Sequence, residues 1–100
     1  MQLIDAIFLV GQMTEDSVIC ARRPFVLTTE AVIAQFTNEL RVPIEVKVNG
    51  YEYFLESSGV EELLEMVGKK LSSRETKAEL VCYYAENDAY PSWLYDLPDA

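Results

Sequence analysis

The stretch IEVKVNGYEYFLE, residues 44 to 56, carries the strongest local signal in the chain. Asn49-Gly50 supplies the two positive-φ positions of a type I′ turn, with alternating side chains on either flank. Such a turn sets Val48 opposite Tyr51, Val46 opposite Tyr53 and Ile44 opposite Leu55, so that all six share one face. The other face brings Lys47 to Glu52, an opposite-charge pair, and Glu45 to Phe54. A β-hairpin with a core side is therefore expected here.

Upstream, Pro43 ends whatever precedes it, because the residue before proline avoids the helical region. TTEAVIAQFTNEL, residues 28 to 40, offers Thr28 or Thr29 as an N-cap and places Val32, Ile33, Phe36 and Leu40 at helical spacing. That predicts a helix. AIFLV (6 to 10) and SVICA (17 to 21) are short, branched and apolar, bounded by GQMTED and RRP, and read as two centrally buried strands joined by a polar turn.

Downstream, Ser58 with Glu61 forms a capping box for GVEELLEMVGKKL, where Val60, Leu63, Leu64, Val67 and Leu71 make an apolar stripe. Ser72 with Glu75 repeats the device for RETKAELVCYYAEN, with Ala78, Val81, Cys82 and Ala85 facing inward and Leu80, Tyr83 and Tyr84 covering other directions. The expected order is ββαββαα: one α+β domain over residues 1 to 100, with a mostly antiparallel four-stranded sheet and three helices packed on it. A short acidic aromatic tail, residues 90 to 100, follows.

Size and composition suit a single domain. A chain of 100 residues buries roughly two thirds of its unfolded surface without disulfides or metal, and half of these residues are hydrophobic. The apolar run Ala6 to Val10 follows Asp5 with no preceding positive charge, unlike a signal peptide. No apolar run approaches the ~20 residues of a membrane-spanning helix, so a soluble, cytoplasmic chain is expected. Cys20 and Cys82 lack metal-ligand or CxxC spacing and read as reduced, packed thiols.

Several chemistries drop out. Without histidine there is no Ser-His-Asp or Cys-His arrangement and no His-ligated metal. Gly11, Gly50, Gly59 and Gly68 form no phosphate-cradling pattern. Glu61, Glu62 and Glu65 could pair as acid and base, but their place in a first helical turn is that of a solvated face, and neither cysteine has a local base. No catalytic, cofactor-binding or metal residue is expected, and the chain does not read as an enzyme.

Charge says more. Seventeen acids against eight bases give a net charge of −9. Residues 51 to 66 carry Glu52, Glu56, Glu61, Glu62 and Glu65 with no base; residues 78 to 100 carry Glu79, Glu86, Asp88, Asp96 and Asp99, again with none. Such a field repels nucleic acid and anionic membrane and attracts basic partners, although acidity also serves solubility alone. The ending ELVCYYAENDAYPSWLYDLPDA interleaves those acids with aromatics, which supply anchors where carboxylates supply steering. The candidate partner-binding residues are Glu79, Tyr83, Glu86, Asp88, Tyr90, Trp93, Tyr95 and Asp96. Alternatively, Trp93, Tyr95 and Leu97 fold back over an open edge of the core.

ELVCYYAENDAY also resembles a pattern of small, acidic bacterial proteins in which a helix ends in an aromatic pair followed by ENDAF or ENDAY. DAIFL and GYEYFLESSGVEELLEMV are similar to that family's first strand and its strand, Ser-cap and helix unit, so the resemblance runs over residues 5 to 90. It implies an immunity protein of a contact-dependent growth inhibition or polymorphic toxin system. Such a protein binds a cognate toxin, here a basic nuclease-type domain, and no nucleic acid or membrane. PSWLYDLPDA and the basic ARRPF segment depart from the pattern, and the family brings no set of functional residues with it. A nucleic-acid-mimicking inhibitor from a phage or mobile element, or a non-catalytic regulatory interaction module, are the alternatives.

Overall fold

A computed structural model describes residues 1 to 100. Its fold is α+β, with a three-stranded antiparallel sheet and four helices in place of the expected four strands and three helices. Residues 6 to 10 are not a strand. They belong to helix α1 (Leu3–Phe8) and a 3-10 turn (Val10–Gln12), with Leu3, Ile4, Ala6, Ile7 and Val10 buried and Asp5 exposed. That spacing is helical, and the β-branched composition masks it.

SVICA is a strand, β1 (Ser17–Ala21), and every residue in it is buried. Its neighbour is β2 (Ala31–Gln35), paired from Ser17 opposite Gln35 to Ala21 opposite Ala31. The helix expected over residues 28 to 40 is thus absent. Thr29 caps nothing: its hydroxyl donates to the Arg22 carbonyl at 2.9 Å. Val32 and Ile33 suit a short strand as well as a helix, and the unpaired side of β1 needs backbone partners that only a strand supplies.

The 44 to 56 hairpin is also replaced. Ile44–Val48 form a short helix, α2. The Gly50 N–H donates to the Lys47 carbonyl at 3.0 Å and the Tyr51 N–H to the Val46 carbonyl at 3.2 Å, which is the Schellman pattern of a helix end. Gly50 has φ +87° but Asn49 has φ −82°, so only one of the two positive angles of a type I′ turn is present. None of the expected cross-strand pairs forms. Residues Glu52–Glu56 are a strand, β3, but they pair with β1, giving the order β2-β1-β3. A bulge between Ile19 and Cys20 leaves Phe54 as the extra residue. Its buried ring meets Phe25 edge-on at 5.1 Å.

Helix α3 (Ser57–Val67) follows directly, and Val60, Leu63 and Val67 are buried as expected. The Ser58–Glu61 box does not form, because the helix starts two residues earlier than that cap implies and has no side-chain cap. Instead the buried Ser57 hydroxyl donates to the Thr14 carbonyl at 3.1 Å. Leu71 lies beyond the helix and is exposed. Helix α4 (Arg74–Asn87) is capped by Ser73 instead of Ser72: the Ser73 hydroxyl accepts the Thr76 N–H at 3.1 Å. Ala78, Val81 and Cys82 enter the main core beneath α1 and the sheet. Leu80 is buried too, in a second cluster with Val67 and Leu94.

That second cluster explains the C-terminal segment, which folds back as a 3-10 turn (Ser92–Asp96). Leu94 is buried, and half-buried Trp93 and Leu97 pack beside it. The Leu71 N–H donates to the Pro98 carbonyl at 2.7 Å, the Ala100 N–H to the Lys69 carbonyl at 2.9 Å, and Lys70 Nζ meets Asp99 Oδ1 at 2.8 Å. Tyr95 remains exposed. No helix is long and apolar enough to cross a membrane.

Candidate partner-binding surface

Helix α4 decides which acidic and aromatic side chains face outward together. At 100° per residue, positions 75, 79, 83 and 86 form one stripe, and Glu75, Glu79, Tyr83 and Glu86 are all exposed. Beside this stripe runs a groove of about 320 Å³ whose other wall is the β1–β2 connection, Phe25, Val26 and Leu27. Cys82 and Asn87 complete the lining. An apolar wall therefore faces a row of carboxylates broken by one tyrosine.

Arg23 stands at one end of this surface. Its guanidinium lies 4.3 Å over the Phe25 ring, donates through Nη1 to Glu86 Oε1 at 2.7 Å and meets Glu52 Oε2 through Nε at 3.1 Å. The hydrogen bond to Glu86, with help from Glu52, raises the guanidinium's already high pKa. Lys70 does the same service for Asp99, holding that carboxyl below its usual range. Two of the five acids in residues 78 to 100 thus have bases reaching them from elsewhere. Glu79 has none.

Cys82 lines the groove without being reactive. Burial pushes its thiol up to about 12, and Glu79 and Glu86 add to the shift; burial likewise takes Cys20 to about 11, against a small opposing pull from Lys47. Both thiols are free, and thiols so shifted stay protonated and inert at neutral pH. No group of three or more His, Cys, Asp or Glu is arranged to hold a metal ion.

The eight residues singled out in the sequence do not form one surface. Glu79, Tyr83 and Glu86 share the groove side of α4. Asp88 ends the helix in the left-handed region, φ 50°, with its N–H on the Tyr84 carbonyl at 2.8 Å. Tyr90 lies against Tyr84, ring centroids 5.5 Å apart, and helps line a narrow 130 Å³ recess against α3. Trp93, Tyr95 and Asp96 sit on the segment that covers Leu80. Leu80 and Cys82 point in directions about 200° apart around the helix, so α4 separates the tail from the groove.

Phe25, Val26, Leu27 and Arg23 are the residues that sequence reasoning missed. Their only signal was the basic ARRPF segment, which carries no hint of the distant Glu86. No protein-family model matches the chain, and no curated protein or solved structure is significantly similar to it.

Proposed function

We propose that the chain is a cytoplasmic immunity protein that neutralises a cognate toxin domain by stoichiometric binding, without catalysis. One observation carries the reading: the groove between Phe25–Leu27 and the Glu79–Tyr83–Glu86 stripe joins an apolar wall to a carboxylate rim. Apolar area gives slow dissociation, and the net charge of −9 gives fast, steered association with a basic domain. Tyr83 is the natural anchor and Glu79 the steering charge. The resemblance of ELVCYYAENDAY and its companion blocks to immunity proteins points the same way.

A nucleic-acid mimic needs an unbroken array of free carboxylates, and the pairing of Glu52 and Glu86 with Arg23 and of Asp99 with Lys70 weakens that alternative. The deciding experiment is co-expression with the protein encoded immediately upstream, scored by co-purification and by rescue of growth. A toxic neighbour that this chain neither binds nor neutralises would end the immunity reading.

A further inference from the structure

Arginines of this chain settle in a recurring way. Arg74 reaches α1 from the start of α4, with its guanidinium 4.6 Å over the Phe8 ring and Nη2 3.3 Å from Asp5 Oδ1. Asp5 and Phe8 stand three residues apart, so one helix face offers a carboxylate and an aromatic ring side by side. Arg23 repeats the arrangement at the groove, over Phe25 and bonded to Glu86. A guanidinium suits such a pair because its flat face stacks on the ring while its edge donates to the carboxylate.

A third pair of this kind has no guanidinium. Glu79 and Tyr83 lie four residues apart on the groove side of α4, neighbours on the helix surface and both exposed. No base pairs with the Glu79 carboxylate. The bases of α4 itself, Arg74 and Lys77, project about 140° and about 160° around the helix from Glu79. Arg23 has its donors on Glu86 and Glu52, and Glu86 lies about 10 Å further along the axis. Of the two carboxylates on the groove, Glu79 alone is uncompensated.

Opposite the pair, Val26 and Leu27 offer apolar surface. The groove's volume of about 320 Å³ is at the lower end of the ~300–1,000 Å³ typical of ligand clefts, which gives room for one or two side chains and not for a folded element. What fits is cationic at its tip, flat, and apolar along its stem. Arginine meets all three conditions, whereas a lysine ammonium is a compact, strongly hydrated point charge that gains less from a ring and an apolar wall.

We propose that Glu79 and Tyr83 form an arginine subsite, in which a partner protein's guanidinium lies over the Tyr83 ring and bonds the Glu79 carboxylate while an adjacent aliphatic side chain packs on Val26 and Leu27. This rests on the groove being the partner-binding surface, and it names the side chain that the partner inserts. By pairing with Glu86, Arg23 confines the free charge to one place, so the subsite sets the partner's register as well as its charge.

The probe is the tripeptide acetyl-Leu-Arg-Leu-amide, titrated at physiological salt into the isotope-labelled full chain and followed by amide NMR. Shifts should gather at Val26, Leu27, Glu79 and Tyr83 and saturate with a dissociation constant of about 1 mM, the scale of a single inserted side chain. Acetyl-Leu-Lys-Leu-amide has the same charge and should bind about twofold more weakly or worse, and the citrulline analogue, which keeps the shape without the charge, weaker still. Glu79→Gln and Tyr83→Leu change exposed side chains, and each should weaken the arginine peptide roughly threefold or more, with circular dichroism confirming the fold. Glu65→Gln, an equal charge change on the exposed side of α3, should leave its binding unchanged. A failed titration leaves co-expression to decide neutralisation, and a failed co-expression leaves the titration to decide the subsite. Shifts that map elsewhere, a lysine peptide as tight as the arginine one, or an equal loss in Glu65→Gln would mean that net charge attracts the probe, and each overturns the proposal. So does an arginine peptide that gives no saturable shift, or one indifferent to Glu79→Gln.

Discussion

Replacing Leu94 by alanine should release the C-terminal segment before it unfolds the domain. Leu94 is 4% exposed and packs on Val67 and Leu80 beneath half-buried Leu64, Met66, Trp93 and Leu97. The substitution removes three carbons, or ~2.4 kcal/mol at ~0.8 kcal/mol per methylene. A rigid surrounding would add a cavity term and bring the loss to ~3–5 kcal/mol. Besides Leu94, residues 90 to 100 are held by buried Pro91, the Tyr90–Tyr84 ring contact, half-buried Trp93 and Leu97, two backbone hydrogen bonds and the Lys70–Asp99 pair, and exposed pairs contribute little. As a segment outside the sheet, it detaches instead of holding a void once Leu94 no longer anchors it, and its docking energy caps the loss at ~2–3 kcal/mol.

Leu80 has no such escape, since it lies within α4, so Leu80→Ala should cost the fuller ~3–5 kcal/mol. Trp93 is the only tryptophan and rides on the segment. Urea unfolding of Leu94→Ala should therefore show the fluorescence transition at lower denaturant than the far-UV circular dichroism transition, whereas the parent should show the two together. Parental midpoints by both probes, or an indole already fully solvated in the parent, would refute the docking argument.

Gly50→Ala should destabilise by ~1 kcal/mol or more, because φ is +87° and the new Cβ would sit 2.9 Å from Arg22 Nη1; a gain in urea midpoint would contradict the helix-end assignment. Cys20 and Cys82 should resist a thiol-titrating reagent at pH 8 and yield two thiols in denaturant without reductant. Their folded pKa values, about 11 and about 12, lie above the ordinary 9, so their contribution to stability is complete below pH 9 and is lost as pH rises through those values. Cys82→Ala should flatten that alkaline decline in stability relative to the parent, and an unchanged slope would count against burial as the cause. Against the proposed toxin partner, Glu79→Lys should slow association and flatten its salt dependence, while Tyr83→Ala should mainly hasten dissociation. If Tyr95→Ala and Asp96→Lys had those effects instead, the interface would lie on the tail.

The parts of the fold legible in the sequence were those where local pattern and burial agree. SVICA is apolar throughout and occupies the central strand; Val60, Leu63 and Val67 recur at helical spacing and line α3. Other segments failed for definable reasons. Asn49-Gly50 signals a positive φ at glycine, and that is present, but a hairpin turn and a helix C-terminus both ask for it. Val32 and Ile33 fit either period over so short a run, and their environment was set by the neighbouring β1. Of the candidate surface, the acidic aromatic stripe on α4 could be read from spacing. Its apolar wall could not, because Phe25–Leu27 reach α4 only through the tertiary fold.

The placement of β1 between two ladders sets the order in which backbone amides exchange with deuterium. Residues Ser17–Ala21 are paired on both sides and wholly buried, so their protons leave only when the whole domain opens. Helix α2, with nothing buried to hold it, opens locally and exchanges early. The two segments thus serve as separate clocks: one reports opening of the whole domain, and the other the local opening of α2.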